Sequence, residues 1–428
     1  MTRVKWPLQQ LIDALLCHIP RDHRLVVMGS PSERFADNTA HLFLYLSDRP
    51  DGTISPVWIS GSRTIVRRLR AHGYAAELRW SWSGIRACIK AGTYVYSAYR
   101  SDINRWFSSH ATNVCLWHGI PIKRIMRDLL DSAPVPGGWA RIRRSGQEPA
   151  PDRLLSSTRY VTRHCFVRAF GIPENRCWEI GYPRNDHLLN SPREPHPALI
   201  HRSDELDRLQ TADLVVGMFL TWRDDSAFDI ADPGLVNRLA SVCAEHGALL
   251  VYKAHYNVTP ADVNHELCMH LPPEVDLNAY LGFCDILITD YSSVALDFLL
   301  LDRPILFYMP DLERYLSKRG FYFDPLLLPG TITRSQASLV EVLKGLLAAP
   351  RPLPSDSRVD AFRPRVWGEY NGHAATAVAS ELRRDIDRRL AHDYERPLTA
   401  PVIVEDQHVD DLAITRKYSP KEGSRSEP

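Results

Sequence analysis

The chain has 428 residues, of which 44% are hydrophobic and 24% charged, with a formal net charge of +1. This length allows two or three domains with their own cores, and the near-neutral balance argues against a general nucleic-acid binder. Eight cysteines are scattered singly, which fits a reducing cytosol better than a disulfide framework or a zinc site. The apolar N-terminal stretch is short and interrupted by Asp13 and His18, so we expect a soluble or peripheral protein.

Short apolar runs alternate with amphipathic segments through the first half of the chain. Buried strands are predicted at 24–30, 55–61, 93–99, 112–119 and 153–158. Helices are predicted between them at 38–48, 62–73, 81–92 and 159–171. This alternation is typical of a parallel sheet with helices on both faces.

The same pattern restarts after residues 190–205, a polar stretch with three prolines that favours a linker. Strands are predicted at 213–222, 248–256, 284–290 and 303–309, with helices opening at Asp232-Pro233 and near Ser292. We therefore expect an α/β protein with two Rossmann-like doubly wound domains and a ligand cleft between them. The predicted divisions are an N-terminal domain at 1–190, a linker at 191–205, a C-terminal domain at 206–395 and a disordered tail at 396–428.

One strand-to-helix turn carries an unusual cluster of hydroxyl groups. The segment "LITDYSSVALDFLLLDRPILFY" passes from a predicted strand through Thr289-Asp290-Tyr291-Ser292-Ser293 into a helix. Ligands of open parallel sheets bind beyond the carboxyl ends of strands, and a helix N-terminus with hydroxyl donors suits a phosphate. Ser292 could instead be a simple helix cap, but a cap needs only one such residue.

Two histidines end predicted strands, one in each half of the chain. His118 follows "NVCLW", and His255 follows "LLVYKA", two residues after Lys253. Taken singly, a histidine at a strand end is more often structural. If both faced one cleft, one imidazole could take a proton from a hydroxyl and the other could offset charge on a phosphate leaving group. Metal binding has little support, because no third ligand has a recognisable spacing.

Several segments, in order along both halves, resemble the CDP-glycerol glycerophosphotransferases, which prime and polymerise teichoic acids and related capsular polymers. The matching segments are "GSPSERFADNTAHLFLY", "LWHGIPIKR", "IGYPRND", "TWRDD", "YKAHY" and "ITDYSSVALDFLLLDRPILFYMPDLERYLSKRGFYFD". They span residues 29–324, and the last is the most specific. Tyr256 stands where the family often has proline, which leaves the polyol of the donor open.

The resemblance implies a metal-independent GT-B fold that binds the acceptor mainly through the first domain and a CDP-activated donor through the second. It implies that His118 is the catalytic base and that His255 acts at the donor diphosphate. The implied donor-binding residues are Gly181, Arg184, Asn185, Thr221, Trp222, Arg223, Lys253, Asp290, Ser292 and Ser293. The acceptor-side residues are Gly29, Ser30, Asp37, Asn38, Lys123 and Arg124, although helix initiation alone also explains Asp37 and Asn38.

The predicted reaction transfers a polyol phosphate, glycerol phosphate first, from a CDP-polyol to a hydroxyl of a glycan or polyol-phosphate acceptor, releasing CMP. No cofactor, metal or nucleic acid is expected. A lipid-linked acceptor and an anionic membrane surface are expected partners, at the inner face of the cell membrane. Basic residues after His118 would suit them: Arg124, Arg127, Arg141, Arg143 and Arg144. Two alternatives stay open: a nucleotide-sugar glycosyltransferase of the same fold, and a non-catalytic polymer-binding module.

Overall fold

The structure is a computed structural model, and it describes residues 5–131, 149–200, 202–221, 233–253, 265–318, 320–354 and 356–395. Three predicted site residues, His255, Trp222 and Arg223, lie outside these ranges, as does the predicted tail at 396–428. Over the ranges given, no helix combines the length and the apolar character that a membrane span requires.

The first half of the chain forms a seven-stranded parallel sheet with the order β3-β2-β1-β4-β5-β6-β7. Its strands are β1 (Asp22–Gly29), β2 (Ser55–Ser60), β3 (Ala76–Leu78), β4 (Ala91–Tyr96), β5 (Thr112–Cys115), β6 (Arg153–Ser156) and β7 (Cys177–Glu179). The helices of this half are α1 (Lys5–Leu16), α2 (Asp37–Asp48), α3 (Arg63–Ala71), α4 (Trp82–Lys90), α5 (Met126–Asp131), α6 (Arg159–Val161), α7 (Val167–Phe170) and α8 (Asp186–Asn190).

The second half forms a six-stranded parallel sheet with the order β10-β9-β8-β11-β12-β13. Its strands are β8 (Val215–Met218), β9 (Leu249–Lys253), β10 (Cys268–Leu271), β11 (Ile286–Thr289), β12 (Ile305–Tyr308) and β13 (Thr331–Thr333). The helices are α9 (Ser203–Thr211), α10 (Pro233–Glu245), α11 (Leu277–Leu281), α12 (Val294–Phe298), α13 (Leu312–Lys318), α14 (Gln336–Leu347), α15 (Arg358–Trp367) and α16 (Ala374–Glu395).

Both sheets reverse their strand order at one point, between β1 and β4 in the first and between β8 and β11 in the second. The prediction of two doubly wound parallel-sheet units is confirmed. In such sheets the crevice beside the reversal, at the carboxyl ends of the strands, is where ligands bind. The largest apolar core joins the first sheet to one face of the second, and a smaller cluster lies on the other face under α10 and α14.

The C-terminal helix α16 returns to the first sheet. Arg389 of α16 donates to the carbonyl of Gly92 (2.8 Å) and to the hydroxyl of Thr93 (2.9 Å), both in β4. At the start of α16, the backbone N–H groups of Ala374 and Ala375 donate to Asp186 (2.8 Å each). The predicted C-terminal domain at 206–395 included this helix, whereas its contacts lie with the first half of the chain. Helix α9 also begins inside the predicted linker, at Ser203.

Candidate active site

A cavity of about 350 Å³, here called the central cavity, is lined by residues from both halves of the chain. Its volume is in the range of small-molecule sites. It lies beside the strand reversals of both sheets, because its walls include the segments that follow β1, β4 and β11. The lining residues are Pro31, Arg34, Ala36, Asp37, Ala98, Tyr99, His118 and Arg184 from the first half, and Val275, Asp276, Leu277, Asn278, Ser292, Ser293, Val294 and Asp297 from the second.

His118 reaches the central cavity from a strained turn after β5. Its neighbours Trp117 and Gly119 both have positive φ, +52° and +111°, and this conformation is unfavourable for a bulky residue such as tryptophan. The Trp117 ring packs edge-to-face on Phe170 at 4.9 Å, and the side-chain amide of Asn38 donates to the Trp117 carbonyl at 2.8 Å. These contacts hold the turn, so the His118 side chain is presented to the cavity.

The His118 side chain is exposed where it lines the central cavity, and its ring lies 4.0 Å from that of Trp117, centroid to centroid. Loss of hydration is the largest cause that lowers the pKa of His118, to about 4. The Asp37 carboxylate opposes this shift, while the charges of Arg184 and Arg34 add to it. The imidazole is therefore neutral at pH 7 and able to accept a proton, as a general base must.

The wall contributed by the second half of the chain includes Ser292 and Ser293, which follow the end of β11. Ser293 is the N-cap residue of α12, but its side chain makes no capping hydrogen bond. The Ser292 hydroxyl accepts only a long hydrogen bond, 3.5 Å, from the Val294 N–H. Helix capping does not account for this pair of hydroxyls, and both serines line the cavity. They can donate to an anionic ligand there.

Asp290 and Thr221, both predicted donor contacts, lie behind this wall. The fully buried Asp290 carboxylate accepts the Thr221 hydroxyl at 2.7 Å and the Thr221 N–H at 3.0 Å. The two residues link the ends of β8 and β11, so their placement supports a role in positioning the serine turn.

Lys253, at the end of β9, donates to the carbonyl of Val275 (2.9 Å), which lines the cavity. Burial, then the charge of Arg34, lower the pKa of Lys253 to about 8.

Arg184 joins the two halves at the floor of the central cavity. Its guanidinium contacts Asp37 at 3.0 Å and Asp297 at 2.6 Å. Burial alone would lower the pKa of Arg184, but the Asp297 and Asp37 carboxylates outweigh burial and raise it. The neighbouring Asn185 is fully buried, donates to Asp297 (2.8 Å) and accepts from Asn278 (2.7 Å). Asn185 is therefore an internal link between the halves, whereas Arg184 also faces the cavity.

Four other predicted residues support the walls without lining them. Ser30 is buried and donates to the carbonyl of Ala36 (2.5 Å). Asn38 is also buried, and it accepts from the Arg184 N–H in addition to its bond to Trp117. A Cβ atom on Gly29 would lie 2.8 Å from the carbonyl oxygen of Asp102, and one on Gly181 would lie 2.4 Å from the Tyr370 ring. The two glycines are thus required by close packing.

Lys123 and Arg124 connect the first half of the chain to the segment after α13. Lys123 forms an isolated antiparallel bridge with Phe321, and its ammonium lies 3.4 Å from the Tyr315 hydroxyl. The Arg124 N–H donates to the carbonyl of Gly320 at 2.9 Å, and the Arg124 side chain is exposed. Neither residue lines the central cavity. Their predicted acceptor contacts stay predictions.

Three charged residues of the cavity were not singled out as site residues from the sequence: Arg34, Asp276 and Asp297. Asp276 accepts from His41 at 2.5 Å; burial alone would raise the pKa of Asp276, but His41 and Arg184 lower it to about 2. Arg34 lies in the loop after β1. The only signal for Arg34 was its position after a predicted strand, within the quoted segment "GSPSERFADN".

The predicted convergence of His118 with His255 stays a prediction, because His255 lies outside the described ranges. The same holds for Trp222, Arg223, Arg141, Arg143 and Arg144. In the part of the chain that the structure describes, no three His, Cys, Asp or Glu side chains are placed to hold a metal ion. Metal-independent catalysis also stays a prediction.

Comparisons with known proteins identify the family and the fold. Residues 12–382 match the family model described as CDP-Glycerol:Poly(glycerophosphate) glycerophosphotransferase. A teichoic acid poly(glycerol phosphate) polymerase of Bacillus spizizenii is 29% identical over 85% of this chain and 93% of the relative. A teichoic acid glycerol-phosphate transferase of Staphylococcus aureus is 26% identical over 77% and 85%. A solved structure of a variant of the wall teichoic acid polymerase TagF with CDPG has a TM-score of 0.69 and 25% identity, covering 90% of this chain and 94% of that one. This likeness confirms the predicted GT-B type of fold.

Proposed function

Because the chain belongs to the CDP-glycerol:poly(glycerophosphate) glycerophosphotransferase family, we propose that it transfers glycerol phosphate from CDP-glycerol to a hydroxyl of a teichoic-acid-type acceptor. The observation that carries this proposal is the central cavity, which is lined by the neutral imidazole of His118 from the first half of the chain and by the hydroxyls of Ser292 and Ser293 from the second. A base on one wall and phosphate donors on the other are what a phosphoryl transfer needs.

In the proposed step, the acceptor hydroxyl oxygen attacks the β-phosphorus of the donor. A new P–O bond forms to the acceptor, the bond from that phosphorus to the bridging oxygen breaks, and CMP leaves with the electron pair. His118 takes the hydroxyl proton. The product is the acceptor extended by one glycerol phosphate, joined through a phosphodiester.

The protein's contribution in this proposal is mainly position and charge. Ser292 and Ser293 donate to the donor phosphates, and Lys253 supplies a nearby positive charge. His255 would add a further donor at the diphosphate. Arg184 is already paired with two carboxylates, so it supports the cavity floor rather than supplying free charge.

The acceptor is proposed to be lipid-linked and to be met at the inner face of the cell membrane. Two tryptophans near the carboxyl end of β3 support this: Trp80 is 60% exposed and Trp82 is 91% exposed. Two exposed arginines lie in the adjoining helices, Arg63 at the start of α3 and Arg86 within α4. Indole rings beside cations favour the interface of an anionic membrane.

The test is incubation of the protein with a panel of CDP-polyols and nucleotide sugars and a short glycerol-phosphate acceptor, followed by mass analysis, with and without EDTA. We expect extension from CDP-glycerol, and equal rates with the chelator. Extension from a nucleotide sugar instead would support the glycosyltransferase alternative, and no extension from any donor would support the binding-module alternative. A chelator-sensitive rate would overturn metal-independence alone.

A further inference from the structure

Arg34 lies in the loop between β1 and α2, and the residues before and after it in the sequence fix the position of that loop. The preceding residue, Glu33, pairs with Arg79 at 2.5 Å and accepts the Ser60 hydroxyl at 3.1 Å. The following residue, Phe35, is buried, with its ring centroid 4.7 Å from that of Trp58. The loop is thus anchored on either side of Arg34, and the half-buried Arg34 side chain lines the central cavity.

The other charged groups of the central cavity are compensated by neighbours. Arg184 pairs with Asp37 and Asp297, and Asp276 pairs with His41. Arg34 differs, because across the described ranges its side chain has no ion pair or hydrogen bond. Its Nε atom is buried without an acceptor, as is that of Arg184. Burying a charge without a partner is costly, so this guanidinium is arranged to meet an anion from outside the chain.

The position of Arg34 indicates which anion. Arg34 lines the same cavity as His118, Ser292 and Ser293, so its guanidinium shares one space with the base and the serine turn. In agreement, its positive charge, after burial, contributes to lowering the pKa of both His118 and the donor-side Lys253. In the proposed reaction, the group that must sit between a base and the donor's nucleotide is the phosphoryl group in transfer.

We propose that Arg34 binds the non-bridging oxygens of the phosphoryl group that is transferred, which corresponds to the β-phosphate of CDP. This inference rests on the proposed function. A guanidinium presents a planar fork of N–H donors that matches two phosphate oxygens. Because its loop is anchored, the Arg34 guanidinium can stabilise the negative charge on those oxygens while the bond to CMP breaks. This adds to the hydrogen bonds donated by Ser292 and Ser293.

The direct test compares the binding of CDP and CMP by calorimetry, because only CDP carries the β-phosphate. We expect R34A to weaken the affinity for CDP by about 10- to 100-fold, the range for a hydrogen bond to a charged group. The affinity for CMP should stay within about twofold of the native value. R34K should fall between R34A and the native protein, since it keeps the charge and loses the fork. R24A removes an exposed arginine at the opposite end of β1 and should change neither affinity.

Turnover gives a second readout. R34A should lower kcat by about 10²- to 10³-fold with the KM of the acceptor unchanged, as when a single transition-state donor is lost. Equal weakening of CMP and CDP, or unchanged affinity for both, would overturn the inference. A raised acceptor KM with normal kcat would overturn it too, by assigning Arg34 to an acceptor phosphate.

The controls separate folding from binding. R34A should not lower the midpoint of thermal unfolding, because the cation it removes has no partner among the described residues. R34Q provides a second neutral variant if R34A does not fold. If the native protein binds neither CMP nor CDP, the proposed function fails and the inference fails with it. If the native protein binds both and R34A and R34Q do not discriminate between them, only the inference fails.

Discussion

The Nη2 atom of Arg184 lies 2.6 Å from Asp297 Oδ2, and this buried ion pair joins the turn after β7 to helix α12 of the second sheet. The same guanidinium also pairs with Asp37, the first residue of α2. Arg184 therefore links the turn after β7, helix α2 and helix α12 around the central cavity. The catalytic geometry proposed above depends on this junction, because His118 and the serine turn come from opposite sides of it.

We therefore expect R184A to destabilise the protein by about 3–5 kcal/mol, the usual loss when one partner of a buried pair is removed and the other charge stays buried. Chemical denaturation followed by circular dichroism measures this loss. The control is R202A, which breaks the exposed pair between Arg202 and Asp204 and should leave the unfolding midpoint unchanged. Equal midpoints for R184A and R202A would contradict the assigned role of the junction.

The pH dependence of the reaction follows from the lowered pKa of His118, about 4 against an ordinary 6.5. A lowered pKa keeps the base deprotonated at acidic pH, so kcat/KM should stay level from pH 7, where Lys253 is protonated, down to about 5.5, and fall only as pH approaches 4. A profile of kcat/KM against pH in a constant-ionic-strength buffer measures this. An acid limb centred near 6.5 would show that the cavity does not desolvate the imidazole.

The paired hydroxyls of Ser292 and Ser293 should matter for donor binding. In S292A/S293A we expect the donor KM to rise about 10-fold or more, because two donors to a charged phosphate are lost, while the acceptor KM stays unchanged. Steady-state kinetics with CDP-glycerol test this expectation. S241A, on the exposed face of α10, is the matched control. A double variant with native donor KM would leave the serine turn without a role in binding.

The exposed tryptophans give a prediction about membrane association. W80A/W82A should reduce co-sedimentation with vesicles that contain anionic lipid and leave CDP affinity unchanged, because both rings lie outside the central cavity. Replacing the exposed Leu326 and Leu327 by alanine controls for a general loss of apolar surface. Native sedimentation of the tryptophan variant would remove this surface from the proposal.

The interior strands could be predicted from the sequence, and the edge strands could not. Long apolar runs marked β1, β4, β8, β11 and β12, all buried inside their sheets. The four strands without a prediction, β3, β7, β10 and β13, are the edges of the two sheets. They have only three or four residues each and include side chains such as Glu77 and Glu179, so no apolar run distinguishes them from loops.

The site could be predicted to the level of turns but not of individual side chains. Strand-end position and residue type identified His118 and the two serines, which do line the central cavity. The same reasoning grouped Asp290 with the serines, although its carboxylate bonds inward to Thr221. Arg34 was missed because its distinguishing feature, a guanidinium that has no partner among the residues the structure describes, depends on tertiary contacts that no local pattern records.

The central claim is that a neutral His118 drives phosphoryl transfer at the β-phosphorus of CDP-glycerol. The most direct measurement is nucleotide release from CDP-glycerol in the presence of acceptor, followed by chromatography, for the native protein and H118A. We predict that the native protein releases CMP, one per unit added, and that H118A, with a native circular dichroism spectrum, releases it about 10²- to 10⁴-fold more slowly. Release of CDP in place of CMP, or native turnover by folded H118A, would contradict the account.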